Sequence, residues 1–442
     1  MAFPVSLMRP LPSLPRSLRD VRDVRVLRGG VAACLLSSLA LGCSSSPSTP
    51  APPLAEASTD AISEVDHTEV KRQSIGNCWI YATSSWLEAL NKAAEGTGAN
   101  TSESYITYWH WFDQVANGRS TEISTGGSFF EATRLIHRYG LMLEKDFIAE
   151  EAEEIMSARQ ASALAAVNES LKTGALSAPG SRTRENIRRE LDKAWGLAPT
   201  VVEAMDQVFG SDVSKTLDRA YASRPLPEGT PIRRDADFTV MVRNGQDLKP
   251  EKSTLDVAMG WSANLMDSNH FGWQTVKYPS TTAARRKFQN RVQRALHDHQ
   301  PVVISWFVDF NALDEKARFT LEELARRGGP GKEGGHMTVL HDYEIENVPG
   351  FGTLRAGELE SRPEALEAAL SEGATITFFR VKNSWGTFRP DRWKEAAIPG
   401  YHDLFVSYLN GPVTATSPEM CPAGSTPCTV TPWWDVTLPP GY

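Results

Sequence analysis

Three residues far apart in this chain, Cys78, His336 and Asn383, have side chains of the types that combine in nucleophilic catalysis. Cys78 lies in the segment 71–82 (KRQSIGNCWIYA) and opens a helical pattern through Ile80, Trp86, Leu87 and Leu90 that stops near Gly96. A thiol at a helix start meets amide donors and the positive end of the helix dipole, which stabilise a thiolate and lower its pKa. Taken alone, the segment is equally compatible with a buried cysteine capping a core helix. His336 follows a Gly-rich loop and opens the strand-like stretch 334–346, while Asn383 ends the strand-like stretch 375–382. A thiolate needs an imidazole to hold its proton and pass it to a leaving amine, and the imidazole needs an amide oxygen to fix its tautomer. Asn383 has that oxygen, and Trp385 is placed to shield the bond from water.

Other chemistries find no support. The stretch 328–333 (GGPGKE) lacks the spacing and the Ser/Thr of a phosphate loop. His297 and His299 flank Asp298 at the polar end of a basic amphipathic helix over 282–296, so the triplet is expected on solvated surface. No Cys/His cluster has zinc spacing, and neither metal nor cofactor is expected. With Lys+Arg at 46 against Asp+Glu at 54, the chain carries −8, which argues against a nucleic-acid footprint.

The elements that must position these residues can be read in outline. The 442 residues are 41% hydrophobic and 23% charged, a globular composition with room for one large domain or two ordinary ones. Residues 301–308 (PVVISWFV) read as a buried strand of the half that carries His336 and Asn383. Residues 151–171 and 183–195 have helical composition, with breaks near 179–182 and 224–234. At the N-terminus, residues 1–42 carry six Arg and two Asp and end in the apolar run 31–42, which is too short to span a bilayer and suits a signal-peptide core; translation from Met8 is compatible with it. Residues 44–61 are rich in Ser, Pro, Ala and Thr and read as a flexible tether. Cys421 and Cys428 lie seven apart in the Pro/Cys-rich tail, as expected of a disulfide loop in an oxidising compartment.

The ordered set of a Gln-containing loop before Cys78-Trp79, a strand opened by His336, and Asn383-Ser384-Trp385-Gly386 resembles the papain superfamily of cysteine peptidases. Segments 101–113 and 126–144 are further similar to the bleomycin-hydrolase branch, so that the resemblance covers roughly 66–147 and 281–409. It implies an α+β, papain-like two-lobe fold: a helical lobe with the Cys over 66–147, a β-barrel-like lobe with His and Asn over 261–410, and a C-terminal tail over 411–442. It also implies that Gly126 and Gly127 offer their backbone to bound peptide. His336 and Asn383 lie 258 and 305 residues after Cys78, against about 130–150 in simple members of the family, so 148–260 is read as a mostly helical insertion.

Two departures qualify the resemblance. The family's oxyanion-hole Gln stands six residues before the Cys; here Arg72 occupies that place and Gln73 stands five before. Gln73 is the expected donor from a shortened loop, with Arg72 as the rival. Asp342 stands where the family has Gly before Tyr343. The segment 39–43 (LALGC) resembles a bacterial lipobox, which implies cleavage after residue 42, a lipid on Cys43, a 43–65 tether and export to the envelope, the outer membrane where one exists. The expected partners are thus a peptide or protein substrate and a membrane reached through the N-terminal lipid, with no nucleic acid. Aminopeptidase and endopeptidase both remain open, as does a catalytically inactive papain-like surface-binding lipoprotein.

Overall fold

The computed structural model describes residues 65–118, 121–218, 224–243, 249–262, 272–387 and 393–442. Cys43, the signal segment and most of the tether lie outside them.

The chain enters as an extended strap. Val65 and Val70 are buried, the Val65 carbonyl lies 3.2 Å from His341 Nδ1, and His67 Nε2 is 3.2 Å from the Leu340 carbonyl. The strap leads into helix α1 (Cys78–Glu95), which buries Trp79, Ile80, Trp86, Leu87 and Leu90 and ends at Gly96 in the left-handed conformation, φ 78°. A glycine reaches that φ at little steric cost, which is why the helix stops there. Helices α2 (Glu103–Asn117) and α3 (Phe129–Tyr139) pack beside it, each started by a serine, Ser102 or Ser128, whose hydroxyl accepts from the amide three residues on.

After the short α4 (Glu144–Phe147), the stretch 148–260 supplies α5 (Arg159–Lys172), α6 (Arg184–Trp195) and α7 (Pro199–Phe209). Their apolar faces share one core cluster with α1–α3: Trp109 of α2 stacks on Tyr139 at 4.1 Å and meets Phe209 of α7 edge-on at 4.8 Å. The same stretch holds an antiparallel hairpin, β1 (Thr239–Arg243) with β2 (Pro250–Thr254), and the short α8 (Leu255–Met259). Val240 and Val242 of β1 are buried in the cluster of α1, and Asn91 donates to the Thr239 carbonyl at 2.8 Å. A hairpin therefore joins the helices expected here.

The second core forms on an eight-stranded sheet of β3 (Gln274–Lys277), β4 (Val303–Asp309), β5 (Arg318–Phe319), β6 (Glu333–Val348), β7 (Gly352–Leu354), β8 (Thr375–Lys382), β9 (Tyr401–Phe405) and β12 (Trp433–Leu438), in the order β3-β12-β4-β6-β8-β9-β5 with β7 against β6. Helix α9 (Thr282–His297) sends Phe288, Val292, Ala295 and Leu296 into this core. The sheet is open among the described residues, with β3 and β5 at its ends, so the barrel-like lobe is not a closed barrel. Pairing is antiparallel apart from β5 with β9.

The tail read from the sequence is built into this sheet. β12 lies between β3 and β4 and buries Trp433, Val436 and Leu438. Before it, β10 (Val413–Ala415) pairs with β11 (Cys428–Val430), and a disulfide joins Cys421 to Cys428. At the end of α9 a second difference appears. His297, expected in solvent, turns inward with Nε2 2.7 Å from the Tyr343 hydroxyl, and burial pulls its pKa down to about 4.

Candidate active site

Cys78 is the first residue of α1. The Asn77 amide before it donates to Thr107 Oγ1 of α2 at 3.0 Å and to Gln160 Oε1 of α5 at 3.1 Å, which fixes where the helix begins. Cys78 is the free cysteine among the described residues and is 5% exposed. The backbone amides of Met337, Trp79 and Cys78 itself lie near enough to the sulfur to favour its thiolate. Met337 directly follows His336, so the strand that carries the imidazole, β6, runs past the start of α1.

His336 and Asn383 meet through the sheet. β6 and β8 pair with Val339 opposite Lys382. Continuing that register sets Asn383 opposite Thr338, which shares a face with His336 because side chains alternate along a strand. His336 Nε2 lies 2.7 Å from Asn383 Oδ1, and the Ser384 amide donates to the same oxygen at 2.7 Å. An oxygen that already takes one N–H can only accept from the imidazole, so Nε2 carries the proton and Nδ1 keeps its lone pair. Trp385 stacks on the His336 ring at 4.5 Å, and Trp306 meets it edge-on at 5.7 Å.

Burial governs both titrating groups. It pushes the Cys78 thiol up to about 11, against the three amides that favour the thiolate, and pulls His336 down to about 4, against the bond it donates to Asn383. This corrects the expectation of a thiol lowered by the helix start. The amide donors are there, but desolvation of the anion outweighs them. The two penalties oppose separate charging. Passing the proton from sulfur to imidazole makes a pair that is neutral overall, and its titration belongs to the pair rather than to either group.

The loop before α1 runs along the other side of the site. Gln73 receives a 2.6 Å bond from the Ser384 hydroxyl on Oε1, and its backbone amide donates to the Ser384 carbonyl at 2.8 Å. Its side-chain amide nitrogen donates to the Ile75 carbonyl at 2.8 Å. Arg72 forms an antiparallel bridge with Trp385, and its side chain runs beside Gly386, where an added Cβ would sit 3.2 Å from Arg72 Cδ. Arg72 is half-buried there rather than turned out to solvent. Across the start of α1, Trp79 donates from Nε1 to the Thr125 carbonyl at 2.8 Å, and a Cβ on Gly127 would meet the Trp79 ring at 2.4 Å. Only glycine lets the 126–127 backbone lie this close to the residue after the thiol.

Sequence reasoning missed a buried charge network that ties both loops to the helices. Lys71 donates to both carboxylate oxygens of Glu103, at 2.9 and 2.8 Å, and to the Thr101 carbonyl at 3.0 Å. Although burial pulls Lys71 down, Glu103 and Glu88 hold its pKa above the ordinary lysine range. Glu88 of α1 accepts from Thr68 at 2.6 Å, and Thr68 in turn accepts from Lys382, next to Asn383, at 3.1 Å. Burial lowers Lys382 to about 8. The network thus anchors residues just before Gln73 and just before Asn383. An acid inside the apolar face of α1 was the one local sign of it. Among the described residues, no three His, Cys, Asp or Glu side chains are grouped to hold a metal ion.

No protein-family model matches this sequence, and no curated protein sequence does. The structure is similar to that of PepW from Lactobacillus rhamnosis, at 13% identity over 86% of this chain and 82% of that one, TM-score 0.40. It is also similar to xylellain, a cysteine protease from Xylella fastidiosa, at 11% identity over 78% and 80%, TM-score 0.29. A third similar structure is SERA5E from Plasmodium falciparum, at 13% identity over 86% and 91%, TM-score 0.32. What the site can do is set by its own geometry.

Proposed function

We propose that this protein is a cysteine peptidase that hydrolyses peptide bonds through Cys78, His336 and Asn383. The observation that carries the proposal is the 2.7 Å contact of His336 Nε2 with Asn383 Oδ1, with the backbone amide of the next residue, Met337, near the Cys78 thiol. Cys78 Sγ attacks the carbonyl carbon of the peptide as its proton passes to His336 Nδ1. The imidazolium, steadied by Asn383, gives that proton to the leaving amine, which departs as the thioester forms. A water activated by His336 then attacks the thioester, and the thiol is regenerated with release of the acid. Gly126 and Gly127 offer backbone groups to the bound peptide. An epoxide probe tests the proposal: covalent labelling in the wild type that disappears in Cys78→Ala supports it, and a wild type that neither labels nor cleaves peptides rejects it.

Gln73 is the proposed oxyanion donor. Successive side chains of an extended segment point to opposite sides, and Arg72 lies along Gly386, so Gln73 is the one of the two that meets Ser384, next to Asn383. Its amide must leave the Ile75 carbonyl to reach the oxyanion. Gln73→Ala is expected to lower kcat by about 10²-fold or more, with Arg72→Ala close to wild type; steady-state kinetics in the reverse order would transfer the role to Arg72.

Export and anchoring complete the proposal. They rest on the basic segment 1–30, the apolar run 31–42 and Gly42-Cys43 followed by the Ser/Pro-rich stretch. Intact protein is expected to partition into detergent with acyl chains on Cys43 by mass spectrometry. A product cleaved elsewhere and recovered in the aqueous phase would remove the anchor from the proposal.

A further inference from the structure

The hydrolytic steps above make no use of His402. It lies on β9 opposite Val381 of β8 and is 1% exposed. Aromatic rings wall it in: Trp393 edge-on at 4.7 Å, Trp385 edge-on at 5.1 Å, and Phe319 at 6.1 Å. Its Nδ1 is 3.3 Å from Asn383 Nδ2, and its Nε2 is buried with no hydrogen-bond partner among the described residues. An amide N–H donates, so Nδ1 must offer a lone pair and the ring proton sits on Nε2, a tautomer assigned from the bonding pattern. A phenylalanine or leucine would fill such a box without an unpaired buried N–H, which costs stability. What the imidazole adds is one acceptor, aimed at Asn383.

That acceptor gives the Asn383 amide a partner at each end. Its oxygen takes the Ser384 amide and His336 Nε2, each at 2.7 Å, and its nitrogen faces His402. The two ends of an amide have nearly the same shape, so their partners decide which way round it sits. Turned over, Asn383 would set an N–H against His336 Nε2–H, and the imidazole would lose the tautomer that leaves Nδ1 free for the thiol proton. We propose that His402 is a positioning residue for hydrolysis: by accepting from Asn383 Nδ2, it keeps Asn383 Oδ1 on His336 while His336 carries the thiol's proton. The role rests on the peptidase reading above. Burial, with His336 close by, pulls His402 down to about 3, so the acceptor persists from mildly acidic pH upward.

The test uses the full chain and two readouts: kcat and KM on a fluorogenic peptide, and the pH profile of Cys78 alkylation by iodoacetamide, which needs no peptide. His402→Phe keeps a ring and removes the acceptor; His402→Asn keeps an acceptor at the δ position. The Phe variant is expected to lose about 10–100-fold in kcat at unchanged KM. Its alkylation profile should move to higher pH, because a loosened Asn383 supports the imidazolium less. The Asn variant should recover most of both. If His402→Phe does not fold by circular dichroism, His402→Leu replaces it with a smaller apolar side chain. A folded acceptor-free variant with wild-type kcat and profile overturns the role, as does a folded Asn variant as impaired as Phe. A wild type that is alkylated at Cys78 but cleaves no peptide defeats the peptidase reading, and the alkylation profiles then decide His402 alone. A wild-type Cys78 that is not alkylated at all overturns both.

Discussion

Cys78→Ala is expected to abolish peptide hydrolysis, with kcat falling by about 10⁶-fold, while the circular dichroism spectrum and Tm stay close to wild type. Of the three backbone amides that favour the thiolate, those of Cys78 and Trp79 belong to the first turn of α1 and that of Met337 to β6. The fold is held elsewhere, by Asn77 reaching α2 and α5 and by Trp79 bonded to the Thr125 carbonyl. Alanine is also the best helix former, so removing sulfur takes away the nucleophile and little of the packing. Wild-type turnover in this variant would show that another group attacks the substrate and that the thiol is structural.

The same contrast explains what the sequence made visible. Cys78, His336 and Asn383 stand out in the sequence because each sits in a short segment with its own local signature, and the structure adds that the last two meet. Helix α9 and strands β4 and β8 were legible because their patterns run for seven residues or more. β12 was not. Its six residues follow a disulfide loop crowded with Pro, Gly and Ser, and what makes them a strand is the gap between β3 and β4, a property of the tertiary fold. The β1–β2 hairpin was hidden in the same way, although Phe238, Val240 and Val242 alternate inward, all buried. Charges that meet only after folding, such as Lys71 with Glu103, leave no trace in spacing. The thiol's pKa was misjudged for a related reason: the helix start is local and readable, whereas the burial that outweighs it depends on β6 closing over α1.

That burial makes removal of the imidazole severe, and more so than removal of its orienter. His336→Ala is expected to approach the loss predicted for the nucleophile, about 10⁶-fold, because in the proposed mechanism the imidazole takes the thiol's proton. Asn383→Ala is expected to cost nearer 10²-fold, since the imidazole stays in place with its tautomer less well held. The pH dependence separates these roles. Burial pushes the thiol up to about 11 with no contribution from the neutral imidazole, so without His336 its proton has no imidazole to pass to. A raised thiol pKa means that thiolate appears only as pH climbs well above neutrality. Iodoacetamide alkylation of His336→Ala should therefore be slow at neutral pH and rise steadily in alkaline solution, whereas the wild type, able to move the proton to the imidazole, should already react near neutrality. In Asn383→Ala, His336 loses the bond that raises its pKa, so the imidazole holds the proton less well and the alkylation midpoint moves to higher pH without reaching that of His336→Ala. Superimposable alkylation profiles for the wild type and His336→Ala would mean that the imidazole does not share the thiol's proton, and would leave Cys78 a buried cysteine at the head of α1.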